Sequence, residues 1–277
     1  MTNQIRIILF AIVLPLVLPA AGRPIRIAND VLSLGRLAHP ALTESSGLIA
    51  SRRYPGIFWS HNDSATPYLF AIGADGRSVR ALPVAGANLI DWEDIAMDEA
   101  GNLYLADIGI SGMIRTHVAV HMMPEPSPFR IAPAVVQRTW YLRFPGVRPD
   151  CEAFFVWRGY GYLISKERLN DTVRLFRFPL SSRARSIPLQ FVAFVPVEGD
   201  VTAADITRDG SRLGILTENG VQVSFIFGNI ASVSVAPQEF TPFVNTFMEA
   251  GCFWPNRGFL VTAETRPIWL FDNPAFR

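Results

Sequence analysis

The sequence predicts an all-β fold, a β-propeller of five four-stranded blades with six left open, and three observations predict it. First, one eight-residue phrase returns five times: TESSGLIA from Thr43, IDWEDIAM from Ile90, PDCEAFFV from Pro149, VTAADITR from Val201 and TFMEAGCF from Thr246. Each copy sets acidic or small polar residues ahead of an apolar run, and a period of about 50 residues is that of propeller blades. Second, about a dozen residues after each copy comes another apolar run, with a glycine-containing turn between, which is the pattern of a hairpin. Third, the stretch after Phe247 is long enough for three strands only. VLSLGRL from Val31 supplies the fourth, so the N-terminal strand is expected to complete the last blade and close the ring.

The elements follow in order. Second strands are read at IFWSHND from Ile57, LYLADIG from Leu103, YLISKER from Tyr162, LGILTEN from Leu213 and FLVTAET from Phe259. Third strands are read at YLFAI from Tyr68, VAVHM from Val118, RLFRF from Arg174, VSFIF from Val223 and IWLFD from Ile268. Fourth strands are expected at VRALPV from Val79, VVQRTWYLRF from Val135, FVAFVP from Phe191 and VSVAP from Val233. Beyond the N-terminal apolar stretch there is no sustained i, i+3, i+4, i+7 stripe, so helix should be scarce.

The chain has 277 residues, 49% of them apolar, enough to bury a sizeable core in one domain. A net charge of +1 gives no reason to expect nucleic acid as a partner. The first residues read as a secretory signal, residues 1–22: Arg6, an apolar run from Ile7 to Leu18, then small residues with cleavage near Ala21 or Gly22. The propeller then spans 23–277 with no membrane span, and a periplasmic or secreted location is expected. Cys151 and Cys252 lie in the third and fifth repeats, which are not ring neighbours, so two buried free thiols are favoured over a disulfide.

In a propeller the start of each first strand and the end of each second strand share a mouth. In the register of the repeat, the second column reads Glu44, Asp91, Asp150, Thr202, Phe247 and the fourth reads Ser46, Glu93, Glu152, Ala204, Glu249. Strand alternation groups Asp91 with Glu93 and sends Asp94 to the other side, and it groups Asp150 with Glu152. Asp205 belongs to the same set, and the second-strand ends add His61, Asn62, Asp63, Asp107, Lys166, Glu167, Glu218, Asn219 and Glu264. So many converging carboxylates need raised pKa values, a cation or basic partners. A hard divalent ion, Ca²⁺ before Mg²⁺, takes these ligand types, and zinc is disfavoured because the histidines are sparse. The alternative is that these acids bond backbone amides of neighbouring blades and pin the ring. His61 is the candidate general base, set against a satisfied structural histidine. Lys166, the one lysine among 25 basic residues, either assists catalysis or pairs with a ring acid. Trp92 reads as inter-blade packing, with a sugar-stacking platform as the weaker alternative.

The ordered motifs TESSGL, HNDSA, DWEDIA, LYLADIG, a D-x-E-A in the third repeat and TAADI followed by DG resemble a family of exported bacterial β-propellers of unassigned activity. They are more loosely similar to phytase-like, SdiA-regulated and gluconolactonase/paraoxonase-type propellers. The resemblance implies a mouth-bound Ca²⁺ supporting lactone or ester hydrolysis, with Glu44, His61, Asn62, Asp91, Glu93, Asp150 and Glu152 as the positions to watch. Glu249 joins the expected metal set by its column. The chain departs from the pattern at Ile110-Ser111, where an Asp-Asn pair is expected, and at Ala65, where glycine is expected.

Three functions are therefore weighed. One is an exported Ca²⁺-dependent hydrolase of a small ester, lactone or phosphoester, with His61 or a ring carboxylate activating water. The second is a non-catalytic propeller binding a small ligand or an envelope protein partner. The third is a structural ring with a vestigial site.

Overall fold

The computed structural model describes residues 23–277 apart from 65, 111–114, 116, 168–170 and 246. The expected signal segment, Ala65 and Ser111 lie outside the described residues. Five antiparallel sheets form the blades of a propeller, with two short 3₁₀ turns as the only helix among the described residues.

Blade one runs Ser45–Ala50, Ile57–Asn62, Tyr68–Gly73 and Ser78–Ala85, from the axis outward. Blade two runs Asp94–Met97, Asn102–Asp107, Val118–Pro124 and Arg138–Arg143, and blade three Cys151–Trp157, Tyr160–Ser165, Thr172–Pro179 and Gln190–Pro196. Blade four runs Val201–Ile206, Arg212–Thr217, Gly220–Phe225 and Gln238–Pro242. Blade five takes Met248–Trp254, Gly258–Ala263 and Pro267–Phe271 from the end of the chain and Val31–Arg36 from its beginning. The closing strand pairs antiparallel with Val31 opposite Phe271 and Leu32 opposite Leu270. Each first strand packs against the first strands of the two neighbouring blades, so the ring of five is continuous. Both faces of these inner strands are therefore buried, which is why they read as unbroken apolar runs.

Two expected fourth strands are corrected. VVQRTWYLRF is not one strand: Ala134–Val135 adds in parallel to the rim of blade one, and only Arg138–Arg143 belongs to blade two. VSVAP is not a strand at all. Residues Ile230–Ser234 form a 3₁₀ turn capped by Asn229, whose side chain accepts from the Ala231 amide, and the strand of blade four follows at Gln238–Pro242. Burial of Ile230 and Val233, three apart, satisfies that turn's own period. With Ala134–Val135, outer additions at Ile25–Ala28 and Ile187–Pro188 give three of the blades a fifth strand.

The repeat carries a structural mark that its sequence register partly hid. In four blades the first strand bulges at its entry, between Ser45 and Gly47, Cys151 and Ala153, Val201 and Ala203, and Met248 and Ala250. The residues in the bulges are Ser46, Glu152, Thr202 and Glu249. A bulge re-aims the side chain it carries, here at the mouth. Thr202 thus belongs in the column of Glu152 and Glu249, and Asp200, not Thr202, stands where Glu44 and Asp150 stand. Parallel backbone bonds agree, since the carbonyls of Glu44, Asp150, Asp200 and Phe247 accept from Asp63, Lys166, Glu218 and Glu264.

Two aspartates on the inner strands pin the ring, as the pinning alternative holds. The Asp94 carboxylate, fully buried, accepts from the Phe154 amide of blade three at 2.8 Å and the Ala204 amide of blade four at 3.3 Å. Asp205 accepts from Phe253 of blade five at 2.9 Å. Because blades two and four are not neighbours, Asp94 reaches across the axis and fills its waist. Burial pushes its pKa well above the carboxylate range despite these amide donors. Cys151 and Cys252 are buried and unpaired.

Candidate functional site

The mouth is built by four motifs that lock onto one another. From TESSGL, the Ser46 hydroxyl donates to the Glu93 carbonyl at 2.7 Å. From DWEDIA, the Trp92 indole donates to the Ser64 carbonyl of HNDS at 2.7 Å, while its ring stacks on His61 with centroids 4.2 Å apart. Trp92 is thus fully buried packing, and the sugar-platform alternative falls away. The Asp107 carboxylate of LYLADIG accepts from the amides of Ile90 and Asp91 at 3.3 and 2.8 Å, fixing the loop that carries Asp91. Asp107 in turn is held by Arg115 at 2.7 Å, and burial is outweighed by the His121 and Arg115 contacts, which keep its pKa low. Ile110, the described half of the departure from the family pattern, is exposed beside this clamp.

These locks bring Asp63, Asp91 and Glu93 together, one carboxylate oxygen from each lying within 4.8 Å of the others. Asp91 and Glu93 are buried and Asp63 is on the open side. Gly109 closes the back, where a Cβ would run into the Glu93 and Asp91 carboxylates. Burial, with Asp91, Glu152, Glu44 and Glu264 adding, lifts the Asp63 pKa to about 6. Burial also drives Glu93 far above the usual range, reinforced by Glu152, Asp63 and Asp91, and burial raises the neighbouring Glu152 as well.

Beside this cluster Lys166 donates to Glu152 at 3.1 Å. Burial works against the Lys166 ammonium, yet Glu152, Glu249 and Asp150 carry its pKa above the usual value. Lys166 thus pairs with a ring acid. Burial raises the Asp150 pKa against Lys166 and Arg148, and one of its oxygens is buried with no hydrogen-bond partner. Glu249 is lifted to about 8 by burial and Glu152.

The other expected site residues fall elsewhere. Asn62 spends its side chain on the backbone, its oxygen accepting from Thr43 and Glu44 and its nitrogen donating to the Ala41 carbonyl. Glu44 is exposed at the rim. His61 is fully buried at the waist, with Nδ1 against the Asn62 carbonyl and Nε2 unpartnered beneath Gly47, and burial lowers its pKa to about 4. Sequence reasoning placed Asp63 at the mouth without assigning it as a ligand, and it did not single out Arg115 or Arg148 at all. Arg148 donates to the carbonyls of Ile108 and Gly109 and so steadies the loop behind the carboxylates. The adjacency of Asp63 to the HN dipeptide was the one signal for its role, and the arginines sit in loops the repeat does not cover.

Fold and site together define a five-bladed β-propeller with a carboxylate cluster at one end of its axis. It is similar in structure to a gluconolactonase from Xanthomonas campestris, at 13% identity and a TM-score of 0.54, covering 92% of this chain and 98% of that one. That likeness establishes the propeller fold. A hydrazine synthase from Kuenenia stuttgartiensis aligns over 82% of this chain and 71% of its own at 10% identity and a TM-score of 0.43, too low to carry an argument. No protein-family model matches the chain, and no curated protein matches it.

Proposed function

We propose that this protein is an exported, divalent-cation-dependent hydrolase acting on a small lactone, ester or phosphoester at the acidic mouth. The observation that carries the reading is the convergence of Asp63, Asp91 and Glu93 within 4.8 Å. Three carboxylates at that spacing repel unless protonated or bridged, and oxygen donors of this kind suit Ca²⁺. A bound Ca²⁺ would supply polarisation of the substrate carbonyl or phosphoryl oxygen. Asp63, Asp91 and Glu93 are the residues that would hold it, and binding would favour their ionised forms.

The chain's own groups divide the remaining work. Lys166, paired with Glu152, stands where it can orient an anionic or carbonyl oxygen. Water activation falls to Asp150, whose unpartnered oxygen and raised pKa suit a base. His61, sealed beneath Trp92, acts as a positioning residue for that ring rather than as the base. Among the described residues no helix is long and apolar enough to cross a membrane. Export to the periplasm or medium rests on the N-terminal sequence.

The non-catalytic binding propeller is the second reading. It is favoured by the ion pair of Lys166 with Glu152, which offsets part of the charge without a metal. Chelated protein should be followed by thermal unfolding with Ca²⁺, Mg²⁺, Mn²⁺ and Zn²⁺ added back, alongside hydrolysis of gluconolactone, p-nitrophenyl acetate and p-nitrophenyl phosphate. Stabilisation selective for Ca²⁺ together with Ca²⁺-dependent turnover is expected. Stabilisation without turnover of any of the three would favour the binding reading, and no response to any metal would sink the metal-dependent one.

A further inference from the structure

The first strands open at the acidic mouth and end on the opposite face, and that face holds a second, chemically different cavity. It has a volume of about 510 Å³ and is bounded by the ends of three first strands at Ala50, Ile206 and Trp254. That size is ordinary for a small-molecule site. Its walls are apolar and aromatic, chiefly Ile57, Phe58, Ile206, Phe253, Trp254 and Phe276.

Arg52 and Arg208 stand together at one side of it, and the same two residues line the adjoining smaller cavity. Arg52 is half-buried, donates from Nη2 to the Met97 carbonyl at 3.1 Å, and leaves Nε buried with no hydrogen-bond partner. Arg208 is exposed and makes no hydrogen bond or ion pair among the described residues. Burial lowers the Arg52 pKa, and of the charges around it Asp205, Asp98 and Glu99 favour its cation while Arg208 opposes it. Among the described residues neither guanidinium is hydrogen-bonded to a carboxylate, so both keep donors for an incoming anion.

The acids of this cavity do not fill that role, because their oxygens are already engaged. Asp205 accepts from the amides of Phe253 and Ile206. Asp209 accepts from the Thr207 hydroxyl and from both the amide and the hydroxyl of Ser211. Donors are thus in excess on the arginines while acceptors are spent on the backbone and on hydroxyls. The other two arginines of the lining are occupied, Arg212 on the Arg277 carbonyl and Arg277 on that of Asp272.

We propose that this cavity is a second ligand site, independent of the acidic mouth, for a small monocarboxylate with an apolar body, its carboxylate bridging Arg52 and Arg208. Two nearby aspartates favour a single negative charge over the dianion of a phosphate monoester. The flat face of an aryl group fits the aromatic walls, and a guanidinium fork matches a carboxylate in two parallel bonds.

Isothermal titration of the full chain with benzoate, benzamide and phenyl phosphate tests this. Saturable benzoate binding at millimolar affinity or better is expected, with benzamide at least about tenfold weaker. Arg208→Met, an exposed change that spares the fold, should weaken benzoate by about tenfold or more, and Arg52→Met should do the same wherever its melting curve shows a folded protein. Gly109→Ala, which alters the acidic mouth, should leave benzoate affinity unchanged, so failure of the mouth reading and failure of this one are separable. The proposal is overturned by no saturable benzoate binding, by equal affinity for benzamide, by tighter binding of phenyl phosphate, or by indifference to Arg208→Met.

Discussion

The two ends of the propeller axis meet opposite electrostatic problems in opposite ways. At the mouth, Asp63, Glu93, Glu152 and Glu249 crowd together around Asp91, and the strain appears as the pKa values of these four driven upward. At the other face, Arg52 and Arg208 crowd together, and the Arg52 pKa moves downward under burial. Between them Asp94 crosses the waist and is satisfied by amides of two other blades. The contrast separates acids that serve the fold from acids that strain it. Asp94 and Asp205 accept backbone amide bonds and build the ring. Asp63 and Glu93 are brought together with Asp91, and the neighbouring acids push the Asp63 and Glu93 pKa values further up.

The largest test of this contrast is to fill the space behind the cluster. Gly109→Ala places a methyl against the Asp91 and Glu93 carboxylates. If Ca²⁺ binds there with micromolar affinity, millimolar Ca²⁺ stabilises the parent by about 4 kcal/mol, and the variant should lose that gain in thermal unfolding. An undiminished gain would place the cation elsewhere.

Next is the waist. Asp94→Ala leaves the Phe154 and Ala204 amides without their acceptor and should cost about 3 kcal/mol by denaturant unfolding, with no dependence on Ca²⁺. Asp94→Asn retains an acceptor oxygen and should cost less. Equal costs would mean that the carboxylate charge, rather than acceptance of the amides, is what matters.

The smallest expected effect is a pH dependence confined to the mouth. Glu249 has its pKa raised from the model-peptide value of 4.5 to about 8, so the folded state binds the proton more tightly than the unfolded chain. Its contribution is therefore fully present below the unfolded pKa and is lost as pH rises from about 4.5 through about 8. Metal-free protein should lose roughly 2 kcal/mol across that window, screening by the half-open mouth considered. Glu249→Gln should flatten the decline, and an unchanged profile would remove Glu249 from the coupled cluster.

The repeat phrase made the blades legible because an inner strand buried on both sides must be apolar along its whole length, and a turn must interrupt it. Legibility ended where period and chemistry diverged. VSVAP alternates like a strand, but the Asn229 cap and the spacing of Ile230 and Val233 turn it into a 3₁₀ segment. In blade four the register read from Thr202 was displaced because VTAAD offers acceptable polar residues at more than one spacing, and only the bulge shows that Asp200 aligns with Asp150. Within the site, Asp91, Glu93, Asp150, Glu152 and Glu249 were legible at the mouth from their columns. The partnership of Asp63 with Asp91 and Glu93 was not, since it depends on Trp92 reaching Ser64 in the neighbouring blade.

By itself the sequence determined the ring of repeated blades, five favoured over six, its closure by an N-terminal strand from Val31 and the end of the axis at which carboxylates gather, because those follow from period and pattern along one chain. Tertiary structure alone decided which acids face one another, which are spent on amides, and that Arg52 and Arg208 meet on the far side. The reason is that contacts across a closed ring join residues from different repeats. Their distance is set by the packing of whole blades, to which no local pattern in the chain has access.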